Sequence, residues 1–326
     1  MRHRCFRAAL VLLTVTTCLG ATLTIARSAN PTITMVVPFG AGGALDLIAR
    51  VLADGLRNEL GQPVVVDNRP GASGLVAMRY VATSASDGHT IILSSESNHI
   101  LLPLLDKSFP LDVARSFVPV SLSGQFQHTL IVKKDSPANT VQELTSYLRA
   151  HPGKMSFGSS GVGTQAHIAG EYLSLLTQSK MVHVPYRSSP AALNDLLAGN
   201  LDVNFQSMPA VRSYIGSSMV KILAVLSAKR VPELPDTPTM IEAGFPDFQL
   251  SSWMGIFGPA GLPSEVRDRL AGALIKIGLS PELQARIRNA GIEPVGSDAT
   301  EFAAFVDAES AKWKAFIDRT GVRLNP

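Results

Sequence analysis

The chain is almost without cysteine: among 326 residues only Cys5 and Cys18 occur, both near the amino terminus. Charge is sparse too, at 17% of residues, and Lys plus Arg exceed Asp plus Glu only by 29 to 26. No clustered basic face stands out, so nothing points to nucleic acid. There is no H-E-x-x-H, and His89, His99, His128, His151, His167 and His183 never fall at metal-ligand spacing, so no metal or other cofactor is expected. A long uncharged apolar run occurs at residues 8–25, which stands apart from the rest. What is present is a 46% hydrophobic chain, long enough to bury a large core in two lobes.

The uncharged run follows Arg2, Arg4 and Arg7 and leaves through Ala26, Arg27 and Ser28. That order of charge, apolar stretch and small residues is a secretory signal peptide over residues 1–28, cut near Ser28 or Ala29, rather than a membrane anchor. A lipoprotein attached at Cys18 is the weaker alternative, because Thr17 suits the position before a lipidated cysteine poorly. Cleavage removes four arginines, so 29 less 4 leaves 25 cations against 26 anions and a net charge near −1. It also removes both cysteines, which excludes thiol nucleophiles, disulfides and Cys-ligated zinc together.

From residue 32 onward, short β-branched runs alternate with segments of helical period, the pattern of a largely parallel α/β sheet. Strands are expected at 32–37, 64–66, 89–93 and 118–122, with helices at 45–60 and 75–82 between them and a loop at 94–98. After Gly124 a second set begins: a strand at 129–132, a helix opened by a Thr140/Glu143 capping box, and strands at 155–157, 181–184, 203–205 and 222–226. A strand at 253–257 and three helices follow, with no further strand pattern. The economical arrangement assigns 30–124 and 250–326 to lobe I and 125–249 to lobe II, two Rossmann-like lobes with a hinged cleft between them.

Two glycine-rich turns join a strand to a helix. The first, VPFGAGGALD at residues 37–46, contains Phe39, Gly40, Ala41, Gly42, Gly43 and Asp46; the second, FGSSGVGTQ at 157–165, contains Ser159, Ser160, Gly161 and Thr164. Uncovered backbone N–H groups at a helix start bind anions without any basic side chain. Dinucleotide and Walker signatures both fail, because Leu45 stands where the third glycine belongs and no Gly-Lys-Ser/Thr occurs. The ordinary alternative is a tight turn in which Asp46 merely favours the helix dipole, and capping by the serines. A serine nucleophile served by His167 would need G-x-S-x-G, which residues 158–161 do not form. Tyr186 and Arg187, after the strand ending at 184, could offer a phenol and a guanidinium to a carboxylate.

With these pieces in order, the chain resembles the Bug family, the extracytoplasmic solute receptors of tripartite tricarboxylate transporters. The resemblance runs from Ile33 to Val322 through the motifs at 36–46, LGQPVVVDNRPGASG at 60–74, SDGHT at 86–90, VHVPY at 182–186, LLAGNLD at 196–202, LPDTPT at 234–239 and EAG at 242–244. It implies a type II periplasmic-binding-protein fold and a small carboxylate ligand (a di- or tricarboxylate, aromatic acid or amino acid) held through backbone amides. Residues 39–43 would grip one carboxylate and 159–164 the opposite end. Two departures bear on ligand identity: Glu96, in the run Ser94-Ser95-Glu96, replaces a small neutral residue, and Gln206 stands where Asp is common. The expected protein is a periplasmic, monomeric, non-enzymatic receptor that serves membrane permease subunits. A secreted enzyme on a carboxylated substrate and a ligand-sensing subunit for a signalling partner are the alternatives.

Overall fold

β-Branched runs become the parallel strands of the first sheet. In the computed structural model, which describes residues 31–323, Ile33–Val37 (β1) pairs in parallel with Val64–Asn68 (β2) and with Thr90–Ser95 (β3). The expected export segment lies outside the described residues. Ala44–Leu60 (α1) connects β1 to β2 and buries Leu45, Ile48, Ala49, Leu52 and Leu56 on one face, with left-handed Gly61 as its stop. Leu75–Ala82 (α2) then leads into β3.

The two strands expected at 118–122 and 129–132 are one strand, Phe117–Lys133 (β4). Gly124 does not break it, because its role is to admit neighbours: a Cβ there would lie 2.9 Å from both Ile292 and Ile48 side-chain atoms. The first part of β4 pairs antiparallel with Ser251–Pro259 (β9), with irregularities between Pro119 and Ser121 and between Leu122 and Gly124. Its last part lies between Val203–Ser207 (β7) and Val220–Val225 (β8), both antiparallel to it. Ser156–Ser159 (β5) continues in parallel beside β7 and carries Val182–Pro185 (β6) at its other edge. The full order is β2-β1-β3-β9-β4-β7-β5-β6, with β8 pairing β4 off this path.

Three further expectations need correction. The segment 94–98 is not a loop: β3 runs to Ser95, and a π-helical turn, Ser97–Leu101, follows at once and passes into Leu102–Leu105. A short strand does follow residue 257, since Glu293–Pro294 (β10) pairs with Gly124 and Gln125; two residues are too few to leave a pattern in sequence. The capping box is skewed by one position. Thr140 Oγ1 accepts the Glu143 N–H at 3.1 Å, but Glu143 answers the N–H of Asn139 at 2.6 Å rather than that of Thr140.

The helices that matter for the site are Gln165–Thr177 (α3), which follows β5, and Ser189–Leu197 (α4), which follows β6. The long carboxy-terminal helix Ala299–Thr320 (α5) buries Phe302, Trp313, Phe316 and Ile317. One apolar cluster runs from Val36 and Ile92 through Trp253 and Phe302 to Leu130, Phe157 and Phe205, so both halves of the strand array share a core. Trp253 meets Phe302 edge to face, with centroids 5.7 Å apart.

Candidate functional site

Two helix starts open on one cavity. Neither Gly43, the N-cap of α1, nor Thr164, the N-cap of α3, supplies a side-chain cap, so the first-turn amides of both helices keep no partner from that position. Gly43, Ala44 and Leu45 from the first helix and Thr164, Gln165 and Ala166 from the second line a cavity of about 50 Å³. None of its lining residues is Lys or Arg. Two positive helix ends are therefore the cavity's attraction for negative charge. Phe39 and Ser160 also line a second, wider pocket of about 550 Å³, here called the mouth, whose other walls include Gly71, Ser73, Gly161, Tyr186 and Arg187. The two sides touch across it: the Gly40 N–H reaches the Arg187 carbonyl at 3.3 Å.

Of the residues singled out by sequence, Phe39, Gly40, Gly43, Asp46, Ser95, Glu96, Ser160 and Thr164 line the small cavity, and Gly161 and Tyr186 line the mouth. Ala41, Gly42, Ser94, Ser159 and Gln206 line neither. Several groups expected to be free are already engaged. The Gly42 N–H donates to Asp46 at 2.9 Å. Thr164 donates its hydroxyl proton to the Gly161 carbonyl at 2.7 Å, and Ser159 Oγ lies 2.6 Å from His183 Nε2. Ser94 Oγ is 3.0 Å from His99 Nδ1. Gln206 holds two lining serines from behind, donating to the Ser189 carbonyl and accepting the Ser207 N–H, both at 3.0 Å. Tyr186 donates to Asp195 at 2.5 Å, and burial together with that carboxylate raises its phenol to about 12.

The two carboxyls of the cavity differ. Burial pushes Asp46 up, but a two-pronged bond from Arg50 at 2.9 and 3.0 Å, the Gly42 amide and Asn68 outweigh it and leave the group below its ordinary value. Glu96 is 1% exposed and has no cationic partner among the described residues. Burial pushes it up to about 7, against the Trp253 N–H at 3.0 Å and the Ser252 hydroxyl at 2.8 Å, which favour its ionised form.

Ser252 Oγ also lies 2.8 Å from His128 Nε2 and 3.0 Å from Gln165 Oε1. Serine, histidine and carboxylate are thus together, but in the wrong order for a nucleophile. In a catalytic triad the carboxylate orients the imidazole, which takes the serine proton; here Glu96 accepts from the serine itself. Burial lowers His128 to about 4, which makes it a weak base. The arrangement suits hydrogen bonding to a ligand more than acyl transfer.

Ser97, Phe126, His128, Gln165, Ser189, Ser207 and Ser252 line the same cavity without having been chosen from sequence. Ser207 Oγ is buried and without a protein hydrogen bond, the state of a group that awaits a ligand or water. Gln165 and Ser189 carried a local signal, each standing at the first turn of a helix behind a glycine or serine run. Ser252 carried none.

The sequence profile of the tripartite tricarboxylate transporter family receptors matches residues 48–322. The chain belongs to this family. The receptor is 37% identical to a UPF0065 protein from the tcbD–tcbE intergenic region of Pseudomonas sp. strain P51, over 87% of this chain and 85% of that one. It is 34% identical to Protein BugT of Bordetella pertussis over 90% of each. The periplasmic binding protein BugD superposes on it with a TM-score of 0.84 at 34% identity, covering 90% of this chain and 98% of BugD. R. palustris Rpa4515, solved with adipate, gives 0.85 at 32% identity over 90% and 98%. MatC from Rhodopseudomonas palustris, solved with malate, gives 0.83 at 28% identity over 87% and 98%. The fold is that of the periplasmic binding proteins, as the Bug resemblance implied. Among the described residues no helix is long and apolar enough to cross a membrane.

Proposed function

We propose that this receptor is a periplasmic, non-enzymatic protein that closes on a small carboxylate and delivers it to the permease subunits of a tripartite tricarboxylate transporter. The observation that carries the reading is the convergence of two uncapped helix starts on a cavity with no basic side chain in its lining. Relatives solved with adipate and malate support the ligand class. The anion sits against the amides of Gly43, Ala44 and Leu45 on one side and Ala166 on the other, with Ser160 and Ser207 adding hydroxyls. Lobe I, residues 30–124 and 250–326, and lobe II, residues 125–249, close around it as a monomer, and no cofactor takes part.

A thermal-shift panel of mono-, di- and tricarboxylates tests this. The best acid at 100 times its Kd should stabilise the protein by about 2.7 kcal/mol. Small-angle scattering should show a smaller radius of gyration at saturation than without ligand. A panel that moves no unfolding midpoint would remove the carboxylate reading, and turnover of a bound acid would replace the receptor by an enzyme.

Export rests on the amino-terminal pattern. Residues 1–28 act as a signal peptide, so intact-mass measurement of periplasmic extract should find a chain beginning near Ala29 without lipid. A lipidated chain beginning at Cys18 would contradict it.

A further inference from the structure

Glu96 poses a conflict within the cavity. Its two oxygens accept hydrogen bonds from different donors, Ser252 Oγ on Oε1 and the Trp253 N–H on Oε2, and that is the pattern of an ionised carboxylate. A protonated carboxyl would instead give its hydrogen to Ser252 Oγ, whose own would turn to Gln165 Oε1 at 3.0 Å, and a glutamine could accept only at one of the two positions. Yet the group is buried, and a buried carboxylate without a countercharge is costly. The charged groups around it do not supply one. In the cavity lining, Asp46 is already matched by Arg50. His128 is kept neutral by burial. From α5, Glu309 adds repulsion, and Lys312 is its partner at 2.9 Å.

The cavity lining completes the pattern. One part holds two positive helix ends and no cation, and another holds a carboxylate and no cation. Such a site matches a molecule that carries both signs of charge. The relatives solved with adipate and malate hold acids without an amine, so the carboxylate site they illustrate gives no role to a carboxylate in the lining such as Glu96.

Resting on the carboxylate reading above, we propose that the ligand is zwitterionic, its carboxylate at the starts of α1 and α3 and its ammonium group paired with the Glu96 carboxylate. An amino acid, or another small acid bearing an amine, is the chemical class. Ser252 and, at 3.5 Å, Ser97 give their hydroxyls to Oε1 and Trp253 its N–H to Oε2, which leaves a lone pair on Oε2 for the incoming N–H donor.

Matched acids test it on the mature protein by calorimetry: succinate against L-aspartate, glutarate against L-glutamate, and propionate against β-alanine. The amine-bearing member of at least one pair should bind roughly 10- to 100-fold more tightly, as expected for a charge-assisted bond in a buried site. Glu96→Gln should bring that pair to within a few-fold of each other while the protein still unfolds cooperatively. If the variant does not fold, the wild type still decides. Near pH 6, titrations in two buffers of different ionisation enthalpy should show proton release when the amine-bearing acid binds, because the ammonium drives Glu96 to ionise. Proton uptake or no exchange on binding of that acid would overturn the proposal, as would amine-free acids binding as tightly as their partners in all pairs. Failure of every acid in both classes would instead remove the carboxylate reading itself.

Discussion

Gln165→Ala should weaken the best carboxylate ligand by roughly 10- to 100-fold, measured by calorimetry. Gln165 is the first residue of α3, and it reaches across the cavity in three ways. Its side-chain amide donates to the Ser251 carbonyl at 2.8 Å, its Oε1 faces Ser252 Oγ at 3.0 Å, and its backbone N–H approaches Ser97 Oγ at 3.4 Å. Alanine keeps the last contact and deletes the first two. Ser252 keeps Glu96 and His128, but the half-buried Ser251 carbonyl loses its donor, and an unsatisfied polar group out of water costs about 1–3 kcal/mol, which converts to the stated loss. The penalty falls on the form in which the two sides meet, which the proposed function makes the ligand-holding one. Thermal stability without ligand should move less than affinity. Unchanged binding by a folded Gln165→Ala protein would show that the contact across the cavity does not hold the closed form.

Acidification from pH 7 to 4.5 should lower the stability of the protein by roughly 3 kcal/mol. Burial lowers His99 to about 3 and His128 to about 4, from an ordinary 6.5. Their neutral form is native, so their stabilisation is complete above 6.5 and is lost as pH falls, when the unfolded chain takes protons that the folded one refuses. Each contributes roughly 3 kcal/mol over this range at 1.36 kcal/mol per pH unit, and half-buried His183, lowered by burial and by His167 to about 4, adds a smaller, solvent-screened loss in the same sense. Glu96 acts in the opposite sense. Raised to about 7 from 4.5, it favours the folded state at low pH and loses that advantage as pH rises, offsetting about one histidine. Urea midpoints at the two pH values measure the balance. His99→Phe, which preserves the ring stacked at 3.7 Å on Phe257, should flatten the profile. A midpoint that stays level or rises on acidification in the wild type would sink the assignment of buried neutral histidines.

What could be read from sequence was local. The run at 33–37 and the helical face of Leu45, Ile48, Leu52 and Leu56 announce themselves within a few residues, and so do the glycine-rich turns that start α1 and α3. The continuity of β4 was hidden because Ser121, Ser123, Gly124, Gln125 and Gln127 look like a break, although Ser121 and Ser123 are buried and the strand is paired along its length. In the site, the hydroxyls of Ser159 and Thr164 were legible as residues, while their engagement with His183 and Gly161 depends on the fold. Glu96 stood out as a carboxyl in an unusual place. Its partner Ser252 lies 156 positions away, and no periodicity or spacing connects two such residues before the strands that carry them pair.

The passage of the chain between the two halves of the strand array has a mechanical consequence. β4 enters the second half without a residue of slack, and at the crossing Gln125, Phe126 and Gln127 are laddered to Trp253, Ser252 and Ser251 of β9. If the halves open as proposed, two covalent crossings tied side by side would act as an axle, resisting sliding more than torsion about their common direction. The proposed opening should therefore have a single degree of freedom, an angle. A membrane partner that senses only that angle would receive the same message from every ligand able to draw the jaws together. Discrimination between ligands must then be finished inside the cavity, before the axle turns.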